Sequence, residues 1–180
     1  MVSTGRLMAR RCVSLEATRA DSTGVPRALL TADYIDSDLL RVDQADYDVA
    51  TGEFSNRRPF ATQPKEWKGA FDGLVVDGVG NVWVARWGDS RVLVYAPDGR
   101  MLAEVPTPGA RSPTIPCFGG KNLDTLYIAT AHSDLAGQGD IQAQFPHSGD
   151  VFALDCGPGS PIRQVLGAEW TGRVRHRFRG

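Results

Sequence analysis

Four short runs rich in valine, leucine and aromatic residues follow one another between residues 72 and 105. The runs are GLVVD, NVWVARW, RVLVYAP and MLAEV, and the turn signals DGVGN, WGDS and PDGR separate them. Strand-sized apolar runs that alternate with Gly, Asn and Asp predict an antiparallel four-stranded meander. The whole chain contains 20 Gly and 11 Pro, which leaves little room for long helices.

The meander recurs on both sides of this stretch. Strands are predicted upstream at 29–35, 39–47 and 56–62, with a hairpin turn at 49–53. Downstream they are predicted at 114–118, 125–131 and 150–156, and weakly at 163–167. Aligning the second strand of each unit on Tyr34, Trp83 and Tyr127 gives spacings of 49 and 44 residues. A repeat near 45 residues with four short strands is typical of propeller blades. The sequence therefore predicts an all-β fold, a partial β-propeller of about three four-stranded blades.

Three blades raise the question of closure, because propellers close a ring of about four to eight blades. The chain is a fragment of a longer polypeptide, or it associates with another copy through its open sheet edges, or it forms an open curved stack. Residues 1–27 contain no aromatic residue and no alternating pattern. We expect that segment to be divergent and poorly ordered.

Charge and cysteine content exclude several functional classes. The formal net charge is −1, so we expect no nucleic-acid partner and no anionic membrane. The apolar runs are strand-sized, far short of the roughly 20 residues of a membrane helix. Cys12, Cys117 and Cys156 are odd in number and widely spaced, which indicates neither a disulfide framework nor a zinc site and favours a cytoplasmic location. The Arg-rich start loosely resembles a transit peptide, but a poorly ordered or misplaced start is the preferred interpretation.

Several segments together resemble the senescence-marker, gluconolactonase and regucalcin-like family. FDGLVVDGVGNVWVARWGDSRVLVYAPDG is similar to the family pattern PDGLAVDAEGNLWVA followed by RVxRYDPDG, and SPTIPCFGGKNLDTLYIATA is similar to PTSCAFGGPDLDTLYVTTA. SGDVFALDCGPGSPI and YIDSDLLRVDQADYDVATGEFSNRRPFA also match in order. The resemblance covers about 34–167, so we assign residues 28–168 to the C-terminal half of such a propeller and 169–180 to a basic tail.

The resemblance implies a six-bladed propeller that holds one divalent cation at the top of its channel and hydrolyses sugar lactones. Of the family's ligands only the Asp of the PDG motif maps cleanly, onto Asp72. The position of the family's second Asn ligand falls near Ser22, and no Asn stands there. Asp72 is thus the implied metal ligand and candidate general base, with Ca²⁺ or Zn²⁺, or else Mg²⁺ or Mn²⁺, as the cation. One carboxylate supplies at most two of the six to eight oxygens that Ca²⁺ takes, so we expect the isolated chain to be inactive. The alternative is a non-enzymatic calcium-binding or assembly module.

Other candidate sites have simpler structural interpretations. Asp77 with Asn81, or Asp98 in its Asp-Gly pair, could form a calcium loop, but the spacing of an EF-hand is missing and hairpin turns are favoured. His132 follows a predicted strand and is more simply a surface residue, and His147 and His176 are weaker candidates still.

The sequence supports neither a serine-hydrolase site nor a phosphate-binding loop, and it assigns most of its aromatic strand residues to packing. The chain has no GxSxG elbow, and its glycine-rich CFGGKN lacks the spacing of a phosphate loop. Trp83 and Tyr127 are predicted to pack between blades, whereas Trp87 at a strand end is less determined.

Overall fold

The computed structural model describes residues 16–17, 28–33, 41–48, 50–51, 53–132 and 142–174. Its strands form three antiparallel sheets, each ordered as in the chain. The first sheet contains β1 (Glu16–Ala17), β2 (Ala28–Asp33), β3 (Arg41–Tyr47) and β4 (Phe54–Thr62). The middle sheet contains β5 (Ala70–Val76), β6 (Val82–Trp87), β7 (Arg91–Tyr95) and β8 (Met101–Pro106). The third sheet contains β9 (Pro113–Gly119), β10 (Thr125–Thr130) and β11 (Val151–Asp155), and the helix α1 (Pro161–Leu166) follows it.

The three sheets bring their first strands together. β5 contacts β1 and β2 of the first sheet and β9 of the third, and the later strands of each sheet follow in sequential order away from that junction. Such side-by-side sheets that radiate from their first strands are the arrangement of propeller blades. The predicted all-β, partial propeller is confirmed.

The strands of the middle sheet lie where the four predicted runs lie, but one prediction at the C-terminal end is wrong. The segment 163–167, weakly predicted as a strand, belongs to α1 and its end. Pro161 stands in the first turn, where its fixed φ suits a helix and its missing N–H costs nothing. Gly167 ends the helix with a φ of 89° and donates its N–H to the carbonyl of Arg163 at 3.0 Å. Within the described residues the third sheet therefore has three strands.

Two apolar layers hold the sheets together, and alternation along β6 explains both. Val82 and Val84 face the first sheet, and they pack with Val42 of that sheet and with Phe71 of β5. Trp83 points the other way, is fully buried, and lies in the layer between the middle and third sheets with Val75, Val94, Phe118, Leu126 and Ile128. Successive side chains of a strand point to opposite faces, so one strand serves both layers. The predicted packing of Trp83 between blades is confirmed.

Tyr127 behaves differently from Trp83. It is 38% exposed and lies on the face of the third sheet that points away from the middle sheet. Among the described residues it makes no contact between sheets of the kind that buries Trp83.

The segment after α1 returns to the sheets. Trp170 is 1% exposed and packs against Trp83 and Phe118 at ring distances of 6.3 and 5.5 Å. The boundary of the predicted basic tail at residue 169 stays a prediction, because residues 175–180 lie outside the described part. The predicted divergent segment 1–27 also lies outside it, apart from β1. No helix in the described ranges is long and apolar enough to cross a membrane.

Candidate functional site

Asp72 is the third residue of β5, the strand that packs on both neighbouring sheets. Its side chain is half-buried, and it lies in a bulge because the pairing register between β5 and β6 shifts between Phe71 and Leu74. Bulges re-aim side chains and are frequent beside active sites. The structure therefore places the predicted ligand near the start of the strand at which the three sheets meet.

Gly73 brings the backbone beside Asp72 into close contact with the third sheet. A Cβ atom added at Gly73 would lie 2.6 Å from the carbonyl oxygen of Thr114 and 2.8 Å from the Cβ of Ile115. No side chain fits in that space, so glycine is required by the approach of β5 to β9. The Asp-Gly pair thus has a structural reason of its own, in addition to any chemistry of the carboxylate.

A fully buried arginine fixes the chain that leads into Asp72. Arg86 pairs with Phe71 across β5 and β6, and its guanidinium carbon lies 4.8 Å from the Phe71 ring centre. It donates to the carbonyl of Lys68 at 2.7 Å and to the side-chain oxygen of Gln63. Burial lowers the pKa of Arg86, and the neighbouring Asp89 carboxylate opposes that shift. This set was not found from the sequence, since an arginine inside a strand gives no signal of burial.

The described residues do not by themselves form a metal site. No group of three or more His, Cys, Asp or Glu side chains in this part of the chain could hold a metal ion. Calcium takes six to eight oxygens and catalytic zinc takes about three protein ligands, whereas Asp72 offers one carboxylate. The divalent cation implied by the resemblance is therefore not accommodated by these residues alone.

A cleft lies at the same end of the sheets as Asp72. Gly73, next to Asp72, approaches the start of β9. The start of β9 pairs with the end of β10, and the end of β10 pairs with the start of β11, so all of these strand ends lie at one end of the sheets. The cleft has a volume of about 510 Å³, and its lining residues are Pro108, Gly109, Pro146, His147, Asp150, Val151 and Phe152. His147 Nδ1 lies 3.0 Å from an Asp150 carboxylate oxygen, and both side chains are more than half exposed. The other candidate histidine, His132, is also exposed, and His176 lies outside the described residues.

The carboxylate of Asp77 is 1% exposed at the opposite end of β5. Its Oδ1 accepts the backbone N–H groups of Val79 and Asn81 at 3.1 and 2.8 Å. Its Oδ2 accepts from the Asn81 amide and from the indole N–H groups of Trp83 and Trp170 at 2.9, 3.0 and 2.6 Å. Burial raises the pKa of Asp77, and these donors oppose the rise. The hairpin-turn interpretation of Asp77 with Asn81 is confirmed, and the carboxylate ties the C-terminal segment to the middle sheet.

Comparisons with known proteins agree with this architecture. Residues 31–132 match the family model described as SMP-30/Gluconolactonase/LRE-like region. The chain is 38% identical to regucalcin of Sus scrofa over 122 residues, which are 67% of this chain and 40% of that protein. It is also 38% identical to the pentonolactonase XacC of Haloferax volcanii over 112 residues, 61% of this chain and 38% of that protein.

Two solved structures are similar over most of the chain. A calcium-binding protein, regucalcin, from Agrobacterium tumefaciens has a TM-score of 0.69 and 25% identity, with 93% of this chain and 49% of that chain covered. A luciferin-regenerating enzyme has a TM-score of 0.66 and 27% identity, with 91% and 47% covered. The chain thus spans about half the length of these structures and about 40% of the curated relatives. Because the family model matches more than half of the chain, the protein belongs to the SMP-30/gluconolactonase/LRE-like family.

Proposed function

We propose that the chain forms the C-terminal half of a metal-dependent sugar-lactone hydrolase, and that it is inactive in isolation. The observation that carries the proposal is the position of Asp72, on the strand at which the three sheets meet and within the segment that matches the family. The names of its relatives support a lactone substrate, since one is a pentonolactonase.

Asp72 is the one described residue to which we assign a chemical role. It would contribute a single carboxylate to a divalent cation, Ca²⁺ or Zn²⁺ or else Mg²⁺ or Mn²⁺, with the other donors supplied from outside the described residues. The bulge and the close approach at Gly73 would fix the direction in which that carboxylate points. The cytoplasmic location and the absence of nucleic-acid and membrane partners stay predictions.

The test is a chimera that supplies the missing half. The N-terminal half of the Agrobacterium regucalcin would be joined to residues 28–174 of this chain, and gluconolactone hydrolysis would be followed with each cation added in turn. We expect hydrolysis by the chimera, and a loss of about 100-fold or more on Asp72→Ala, the usual scale for a group in the reacting centre. The 180-residue chain alone should show no hydrolysis above its own Asp72→Ala variant.

A matched control is available in another Asp-Gly pair, at Asp98 and Gly99. Asp98 lies in an exposed turn, where its carboxylate accepts the backbone N–H of Arg100 at 3.0 Å. Asp98→Ala should leave the chimera active. A folded chimera without activity, or one that is indifferent to Asp72→Ala, would contradict the proposal, and activity of the isolated chain would contradict its second part.

A further inference from the structure

The indole ring of Trp170 fills a pocket between the middle and third sheets. Its ring centre lies 6.3 Å from that of Trp83 in β6 and 5.5 Å from that of Phe118 in β9. The guanidinium carbon of Arg163 in α1 lies 5.0 Å from the ring centre, within the range of a cation–π contact. The indole N–H donates to Oδ2 of Asp77 at 2.6 Å, and Trp170 is 1% exposed. We call this the indole pocket; its residues are Asp77, Trp83, Phe118 and Arg163.

The acceptor of the indole pocket is held in place without Trp170. Asp77 accepts the backbone N–H of Asn81 at 2.8 Å through Oδ1 and the side-chain amide of Asn81 at 2.9 Å through Oδ2. The indole N–H of Trp83 also donates to Oδ2, at 3.0 Å. Trp83 and Phe118 meet edge to face, with ring centres 5.4 Å apart. Contacts within the sheets and their turns thus fix the carboxylate and two aromatic walls, and such preorganisation lowers the cost of binding.

The segment that carries Trp170 is attached to the sheets in another way. Residues 170–174 belong to no strand or helix, so the backbone there is not part of a hydrogen-bonded ladder. Its backbone reaches the middle sheet where Gly78 donates its N–H to the carbonyl of Thr171 at 2.7 Å. Segments outside the ladders open at a lower free-energy cost than the strands do. We therefore expect this segment to leave the indole pocket while the sheets stay folded.

From these contacts we propose that the indole pocket is a binding site for a free aromatic N–H compound of the size of indole, and that the C-terminal segment is its tethered competitor. When Trp170 leaves, the free compound donates its N–H to Asp77. Its ring then lies between Trp83 and Phe118. The pocket lies at the end of β5 opposite to Asp72, so the inference does not rest on the proposed lactone chemistry.

The first test opens the pocket in the full 180-residue chain by Trp170→Gly and adds indole. Titration calorimetry should give one site per chain with a Kd of about 1 mM or below. Benzofuran has the same shape but an oxygen in place of the N–H. It should bind at least about 10-fold more weakly, because it cannot donate to Asp77. The unmodified chain should also bind indole at least about 10-fold more weakly than the variant, because its pocket is free only in a minor open state.

Trp87→Gly is the matched control. It also removes an indole, but from the half-buried end of β6, where no enclosed pocket is left, so it should create no indole site. Three results of the calorimetry would each overturn the proposal: no binding by the Trp170→Gly chain, equal affinity for indole and benzofuran, or equal indole affinity in the Trp87→Gly chain. A Trp170→Gly chain that stays unfolded in about 5 mM indole would overturn it as well, because the sheets must form the pocket without the tether.

The second test uses the unmodified chain. Trp170 and Trp83 donate their indole N–H groups to the same oxygen of Asp77, but one lies in the C-terminal segment and the other in β6. If the segment opens alone, the indole N–H of Trp170 should exchange with deuterium at least about 10-fold faster than that of Trp83, as followed by NMR. Equal exchange rates would mean that Trp170 leaves only on global unfolding, and the proposal would then be wrong.

Discussion

Replacement of Trp170 by phenylalanine tests the contact that holds the C-terminal segment against the middle sheet. The indole N–H donates to Oδ2 of Asp77 at 2.6 Å, and the ring is 1% exposed between Trp83 and Phe118. Trp170→Phe removes the donor and part of the ring while it keeps an aromatic side chain in place. A hydrogen bond to a charged acceptor contributes about 1.5–3 kcal/mol. Because Oδ2 keeps the donors of Asn81 and Trp83, the lower half of that range applies.

The truncated ring adds a packing term. The loss of part of a buried ring costs about 1 kcal/mol or slightly more, well below the full cost of a large aromatic to alanine change. We therefore expect Trp170→Phe to lower the free energy of unfolding by about 2–4 kcal/mol. Urea unfolding followed by far-UV circular dichroism at one fixed chain concentration measures this as a shift of the midpoint at constant slope.

A double-mutant cycle with Asp77→Asn separates the two contributions. If the hydrogen bond carries about half of the loss, Trp170→Phe should cost at least about 1 kcal/mol less in the Asp77→Asn background. Trp87→Phe, at a half-buried tryptophan that does not reach Asp77, should cost less than either change. A loss below about 0.5 kcal/mol, or equal losses in both backgrounds, would refute the reasoning.

Three further predictions concern Gly73, Arg86 and Cys156. Gly73→Ala should destabilise the chain by about 1–3 kcal/mol in urea, because the new Cβ meets the β9 backbone, and an unchanged midpoint would contradict the close approach. Arg86→Met should lower the free energy of unfolding by about 2–4 kcal/mol, because the Lys68 carbonyl and the Gln63 side chain lose their hydrogen-bond donor. Arg100→Met, at an exposed site, should change it by no more than about 0.5 kcal/mol, and equal effects of the two changes would contradict the importance of the buried guanidinium. Burial raises the pKa of the Cys156 thiol to about 11, so its stabilising contribution is complete below pH 9.0 and is lost as the pH rises through about 11. In a chain that keeps only this cysteine, alkylation at pH 8.5 should be about 100-fold faster in urea than in the native state, and similar rates would contradict its burial.

Local chemistry predicted most of the strands and turns. The runs that became β5 to β8 alternate or are continuously apolar, and the glycines and aspartates between them have turn chemistry that needs no distant partner. The same local rule misled at residues 163–167, where a helix is set by Pro161 at its start and Gly167 at its end. A short apolar segment does not distinguish strand from helix by periodicity alone.

Some residues of the candidate site were also predictable from local sequence, and others were not. Asp72 was found because it stands in a motif that can be read along the chain. The burial of Arg86 was not, and at Asp77 the turn with Asn81 was found but the bond from Trp170 was not, because these contacts depend on residues that are distant in sequence. Trp170 lies 93 residues from Asp77, and no local pattern indicates that its indole N–H finds that carboxylate. The predicted site at Asp72 remains a prediction until the chimera is assayed.

The order of strands and turns, the repeat near 45 residues and the family follow from the amino-acid sequence, because alternation and turn chemistry act between neighbours. Which face of each sheet is covered depends on the stacking of the sheets. Trp83 and Tyr127 occupy equivalent places in the repeat, yet one is buried and the other is 38% exposed. Burial belongs to the contact between two sheets, and only the tertiary structure shows which face of the third sheet is covered by its neighbour among the described residues.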